Sequence, residues 1–256
     1  MEWYDVVSIV FFLVLLLLGC GLSLRFAMFK PRTKTLLLDA DGTLFDFEKS
    51  EYAALEKAFE ELSIPFDSSV HGIYHRNNDA CWKALERGEI SREELKVRRF
   101  RDTFAELGVD MDPQRATEVY ERALGSFAFP FDGAMEACRR LSKKYALYIV
   151  TNGLKNVQTS RMLQTPLPEI VKGFYISEDV GYAKPAPEYF DRFFADHPEC
   201  KRCETVIVGD SLSSDILGGN NAGIRTCWVN RKGESRPEDL RIDLEISNIT
   251  NLEKAL

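Results

Sequence analysis

Basic residues are in deficit: 33 Lys and Arg against 40 Asp and Glu leave the 256-residue chain with a net charge of −7. A polyanion-binding surface needs the opposite balance, so no nucleic acid polymer is expected as a partner. A small phosphorylated metabolite stays compatible if a metal neutralises its site. Cysteine is sparse and scattered (Cys20, Cys81, Cys138, Cys200, Cys203 and Cys227), which reads as reduced thiols in a cytosolic setting rather than the dense disulfide framework of a small secreted domain. Cys200 and Cys203, with His197 nearby, have thiol spacing that suits half a zinc site. A second pair is missing, so zinc is not expected there. Internal repeats and low-complexity tracts are also lacking, which excludes repeat architectures and disordered arrays.

Long hydrophobic runs are missing too, with one exception. Residues 6–24 are uncharged and mostly aliphatic, long enough at about 1.5 Å per residue to cross a hydrocarbon core of about 30 Å. Glu2 and Asp5 precede the run, and Arg25, Lys30, Arg32 and Lys34 follow it. That asymmetry predicts a single-pass membrane anchor with the carboxyl-terminal part in the cytoplasm, and the acidic front end argues against a cleaved signal peptide. A start at Met28 would instead give a soluble cytoplasmic domain.

What is present is an apolar run, Thr35-Leu36-Leu37-Leu38, that ends in two carboxylates one residue apart, Asp39 and Asp41, followed by Gly42. Such a run reads as a buried parallel strand, and open α/β sheets place their ligands at the carboxyl ends of such strands. Two carboxylates at this spacing can hold a hard cation by one side chain and one carbonyl while a second side chain stays free. Helical patterns then cover 48–62, 67–87 (stopped by Gly88), 91–108 (opened by a Ser91-Arg92-Glu93-Glu94 capping box and ended by Gly108) and 113–125. No strand signal interrupts 48–129. Strand and helix alternate afterwards, with strands at 146–153 (ending in the small polar Thr151, Asn152 and Gly153), 174–177, 205–210, 226–229 and 244–247. The pattern predicts an α/β fold: a doubly wound parallel sheet with an inserted helical domain.

Three strands end in groups suited to phosphoryl transfer: Asp39 with Asp41, Thr151 with Asn152, and Asp210 with Ser211 and then Asp215. Lys184, before a proline in a loop, can supply one positive charge. A parallel sheet would bring these ends to one rim, where they make a carboxylate nucleophile, an acid–base carboxylate, phosphoryl-oxygen donors and metal carboxylates. His71 and His75, four residues apart on an expected helix, lack a nearby third group in the sequence and read as a solvated or packed pair.

Four motifs in order, Asp39-Ala40-Asp41-Gly42-Thr43-Leu44, Val150-Thr151-Asn152-Gly153, Lys184-Pro185 and Gly209-Asp210-Ser211 with Asp215, resemble those of the haloacid dehalogenase superfamily. The resemblance implies a Mg²⁺-dependent phosphomonoesterase in which Asp39 forms an aspartyl-phosphate and Asp41 acts as general acid, then base. It implies that Thr151 and Lys184 steady phosphoryl oxygens, with Asn152 and Gly42 at the phosphate. Asp39, the carbonyl of Asp41 and Asp210 would bind the metal, with Asp215 as a further or water-mediated ligand. A catalytic core of 34–47 and 130–256, a helical C1 cap of 48–129 and an anchor with basic linker of 1–33 follow.

Within the superfamily the bacterial pyrimidine 5'-nucleotidases are the nearest resemblance, through Leu44-Phe45-Asp46-Phe47, the 176–185 segment, Gly218-Gly219-Asn220-Asn221-Ala222-Gly223, and Trp82 with Gly88-Glu89-Ile90. Those soluble enzymes lack the apolar amino-terminal run. Nucleoside 5'-monophosphates are the implied substrates, with sugar phosphates or phosphoglycolate as the alternative and a membrane-tethered non-catalytic binding protein as a remote one. Specificity is expected from the cap. Trp82 either stacks on a base or belongs to the cap core, and Arg76, Asn77 or Asn78 are candidates for a base's polar edge.

Overall fold

The computed structural model describes residues 32–256. The expected membrane segment, 6–24, lies outside the described residues. Among the described residues, no helix is long and apolar enough to cross a membrane.

Strand β1 (Thr35–Leu38) is followed by four helices, α1 (Phe47–Glu61), α2 (Ser68–Glu86), α3 (Arg92–Leu107) and α4 (Pro113–Leu124). Their ends carry start and stop chemistry, of which the Ser91 cap was expected. Asp46, Asp67, Ser91 and Asp112 each accept backbone N–H bonds at a helix start, and Gly108 closes α3 in the left-handed conformation, which removes orphan donors and acceptors at the helix ends. Then come α5 (Ala134–Leu141), β2 (Ala146–Thr151), α6 (Lys155–Leu163), α7 (Leu167–Ile170), β3 (Gly173–Ile176), α8 (Ser177–Val180) and α9 (Pro187–Asp196). The chain finishes with β4 (Thr205–Gly209), a π-helical turn (Leu212–Ile216) running into α10 (Leu217–Asn221), β5 (Arg225–Val229), β6 (Leu244–Ile246) and α11 (Leu252–Ala255). The segment leaving β4 thus enters α10 through a π turn.

The six strands form one sheet in the order β3-β2-β1-β4-β5-β6, and every pairing is parallel. Side chains alternate across it as the pleat requires. Leu36, Leu38, Leu147, Ile149, Val206 and Val208 pack on α5 and α11 residues on one face. Leu37, Tyr148, Val150 and Ile207 pack on Tyr189, Phe190 and Phe193 of α9 on the other. Burial on both faces explains why these strands are continuous apolar runs. The α1–α4 insertion has its own core of Ala54, Leu55, Phe59, Tyr74, Phe100, Phe104 and Tyr120, which also takes in Leu154 and Val157 around the start of α6. The insertion is thus seated against the end of the sheet where β1 and β2 stop.

Candidate active site

The central strands β1, β2 and β4 lie side by side, so their carboxyl ends deliver Asp39, Thr151 and Asp210 to one rim. Lys184 reaches the same point from the loop before α9. It is buried, and its Nζ donates to Asp39 Oδ1 (2.6 Å), Asp215 Oδ1 (2.7 Å) and the Val150 carbonyl (2.9 Å). All three donor positions of the ammonium are used, so its place is fixed. Burial opposes the ammonium, but the carboxylates of Asp215 and Asp39 outweigh it and its pKa is raised.

Asp39, Asp210 and Asp215 each bring one carboxylate oxygen within 4.8 Å of the others. Burial pushes the Asp39 carboxyl well up, Lys184 pulls it back in part, and Asp215 and Asp210 add to the rise. Asp210 is pushed up to about 7, first by burial and then by Asp215. Three carboxylates, two buried and one half-buried, beside one buried lysine are short of positive charge. An all-oxygen donor set with that deficit fits a hard divalent cation such as Mg²⁺. Close backbone approach makes the cluster possible: a Cβ on Gly42, whose φ is +78°, would lie 2.1 Å from Asp210 Oδ2, and one on Gly209 would lie 2.1 Å from Asp215 Oδ2. Thr43 Oγ1 donates to Asp210 Oδ1 (3.3 Å) and Trp228 Nε1 donates to the Asp210 carbonyl (3.0 Å).

Around the cluster, Asp41 and Thr151 keep the placement that the sequence reading gave them, while Asn152 and Gly42 do not. The Asp41 carboxylate is outside the acidic cluster. It accepts from Gln158 Nε2 (2.5 Å) and Arg161 Nη1 (2.6 Å) on α6, which leaves its carbonyl as the part able to serve a metal. Asn152 does not aim its side chain at a phosphate: Nδ2 donates to the Lys184 carbonyl (2.7 Å) and Oδ1 accepts from the Lys184 amide (2.9 Å). It acts as a splint on the lysine loop. Gly42 provides room for Asp210. Thr151 Oγ1 accepts from the Gly153 amide (3.0 Å) and from Gln158 Nε2 (3.3 Å), leaving its hydroxyl proton free for a phosphoryl oxygen.

The rim opens into a cavity of about 210 Å³, walled on the insertion side by Trp82, Glu86, Arg99 and Leu124. Trp82 also packs on the small apolar cluster of Cys81, Ala84, Ile90 and Leu95, so both readings of this residue, cavity wall and cap packing, hold at once. Arg76 and Asn77 do not line the cavity. Arg76 pairs with Glu106 on the exposed side (2.5 Å) and Asn77 Nδ2 donates to Thr103 Oγ1 (3.4 Å), because steps of six and five positions before Trp82 turn them roughly 120–140° around the helix. Asn78 is buried and committed to Glu51 and Arg99.

The sequence reading missed Arg161, Gln158, Arg99, Glu86 and Arg92. Arg161 is fully buried and also donates to the Phe127 carbonyl (3.1 Å) and Ser50 Oγ (3.3 Å). It therefore ties Asp41 to both segments by which the chain enters and leaves the insertion. Arg92, at the start of α3, donates to the Asn152 carbonyl (2.7 Å) and Ser177 Oγ (2.8 Å), pinning the insertion to the rim.

A parallel sheet in this order, with this carboxylate–lysine rim and a helical insertion after β1, defines a class, and comparison with known proteins agrees with it. Residues 33–223 match the haloacid dehalogenase-like hydrolase family, and the chain belongs to that family. It is an enzyme, a hydrolase of phosphatase type. Its relatives include the HAD-hydrolase YfnB of Bacillus subtilis, 37% identical over 78% of this chain and 85% of that one. Two pyrimidine 5'-nucleotidases are similar as well: YjjG of Escherichia coli, 31% identical over 86% and 96% of the two chains, and PynA of Streptococcus pneumoniae, 34% identical over 77% and 84%. The crystal structure of YfnB bound to magnesium superposes with a TM-score of 0.84 at 34% identity, covering 88% of this chain and 98% of that one.

Proposed function

We propose that the protein is a Mg²⁺-dependent phosphomonoesterase that works through an aspartyl-phosphate on Asp39 and takes nucleoside 5'-monophosphates, pyrimidine before purine. The observation that carries the chemistry is the division of labour between Asp39 and Asp41. Asp39 is held by Lys184 within the acidic cluster, and Asp41 is held apart from it by Gln158 and Arg161. One carboxylate can then attack while the other handles protons.

In this reading a free Asp39 oxygen attacks phosphorus in line with the ester oxygen, which leaves with a proton from Asp41. Asp41, now ionised, takes a proton from water, which attacks the phosphoryl group and regenerates Asp39 with release of inorganic phosphate. Lys184 and the Thr151 hydroxyl stabilise the phosphoryl oxygens as charge builds on them. Asp39 and Asp210, with the Asp41 carbonyl, would hold Mg²⁺, which when bound supplies the positive charge that the buried carboxylates lack and polarises the phosphoryl group. Asp215, bonded to Lys184 and to the Ser211 amide, is placed to brace the lysine. The helical insertion, 48–129, serves as the cap that excludes water from the cavity.

The nucleotide preference rests on the two nucleotidase relatives and on Trp82, which with Phe47 gives the cavity wall an aromatic surface and can stack on a base. A phosphate-release screen across nucleoside monophosphates, sugar phosphates and phosphoglycolate tests it. Pyrimidine monophosphates are expected to give the highest kcat/KM. Selective hydrolysis of a sugar phosphate or phosphoglycolate, with nucleotides inert, would keep the phosphatase and discard the nucleotidase.

A further inference from the structure

A second cluster of ligand-type side chains lies in the insertion, away from the rim. Glu51 of α1 is completely buried, and its Oε2 faces two imidazoles of α2: His75 Nδ1 at 2.7 Å and His71 Nε2 at 3.3 Å. The third group that the sequence did not show beside these histidines is therefore supplied by the neighbouring helix. Asn78 Nδ2 donates to the other oxygen, Oε1 (2.9 Å), and fixes the carboxylate so that Oε2 is the oxygen presented.

The geometry is more than an ion pair. His75 satisfies Glu51 by itself, while His71 Nε2, 3.3 Å from Oε2, is buried and makes no hydrogen bond. A buried ring nitrogen without a partner is a cost that a bound cation would remove. All three ligand atoms lie within 4.8 Å of one another. Tetrahedral Zn²⁺ with bonds of about 2.0–2.1 Å spaces its ligand atoms about 3.3 Å apart. The Glu51–His71 distance already has that value, and His75, with 46% of its side chain exposed, can withdraw by the few tenths of an ångström needed. His75 also lines a cleft between the insertion and the sheet, with Asp79, Glu48 and Asp46 on the same wall. The cleft gives a cation a route in and water a fourth position, and its carboxylates favour positive charge.

We infer that Glu51, His71 and His75 form a binding site for a borderline divalent transition ion, with Zn²⁺ as the fitting occupant, which staples α1 to α2 in the insertion. Two imidazoles and one carboxylate are a zinc-type donor set and a poor one for Mg²⁺, which prefers oxygen. The site is thus chemically distinct from the all-carboxylate rim, and the two can be filled independently.

Co²⁺ is the spectroscopic probe, added to the full chain in excess Mg²⁺. The expected result is one equivalent giving an intense visible band of a low-coordinate nitrogen-bearing site, discharged by one equivalent of Zn²⁺. Zn²⁺ at a hundredfold excess over its Kd should raise Tm by on the order of 5 °C. The His71→Ala/His75→Ala variant should lose the band and the Tm shift while keeping phosphate release within about twofold. His75→Ala alone, which trims the more exposed ring, serves the same purpose if the double variant does not fold. No band in the wild type, or an equal band and Tm shift in a folded variant, overturns the site.

Discussion

The sheet rim and the helical insertion both bury charge, but they handle it differently. On the rim, Asp39, Asp210 and Asp215 share a single lysine, and the carboxyls of Asp39 and Asp210 are pushed upward by burial. In the insertion, Glu51 is as deeply buried, yet its carboxyl is held below the usual range: burial pushes it up, and the two imidazoles of His71 and His75 against it outweigh that. The rim keeps a deficit of positive charge that a ligand must correct. The insertion balances its buried charge largely from within, as Arg99 with Glu121 and Asn78 also shows. Unrelieved electrostatic tension therefore marks where chemistry is expected, and local balance marks where packing dominates.

Four substitutions or conditions sharpen that contrast. Asp39→Asn removes the nucleophile and should lower turnover by at least about 10⁴-fold. Because it also removes one of three crowded carboxylates, Tm should hold or rise; a fall of several degrees in thermal denaturation would contradict the reading of the rim as strained. Arg161→Ala leaves Asp41 and the Phe127 carbonyl without their shared partner. It should cost roughly 3 kcal/mol in denaturant unfolding, together with a large loss of kcat. Normal stability would show that the arginine does not tie the insertion's two connections together.

The third test uses pH. Asp210 titrates at about 7 in the folded chain against 3.8 for the ordinary group, so the folded state holds the proton more tightly. Its contribution to metal-free stability is fully present below pH 3.8 and lost as pH rises through about 7. Mg²⁺ competes with that proton. Its stabilising effect, read as a Tm shift, should therefore be larger at pH 8 than at pH 5.5, and an equal shift at both would place the ion elsewhere. The smallest effect is expected at Trp82. Trp82→Ala should raise KM for a nucleotide by about tenfold through lost stacking and leave kcat within a few fold. An unchanged KM would assign the ring to cap packing alone.

The sequence by itself determined the order of strands and helices, the helix caps, and the residues that end β1, β2 and β4. These are set by local pattern: an apolar run buried on both faces can end only where its polar residues begin. Asp39, Thr151 and Asp210, with Asp215 just beyond, were legible for that reason, since a parallel sheet gathers strand ends on one rim; Lys184, in a loop, stood out by its motif. Tertiary structure decided which way side chains turn. Asn152 was read as a phosphate contact and is a splint for Lys184. Arg76 and Asn77 were placed at the substrate and are turned off the cavity wall.

The same holds for charges hidden in phase with helical apolar stripes. Glu51 shares its buried face with Ala54, Leu55 and Ala58, Arg99 with Leu95 and Thr103, and Arg161 with Val157. A charged residue at such a position was the signal available for Arg161, Arg99 and the partner of His71 and His75. It stayed ambiguous because helical periodicity says that a side chain is buried but not against what. Only the packing of α1 on α2, and of α6 beneath the insertion, brings each buried charge to its partner, and burying a charge is stable only where that partner is in place.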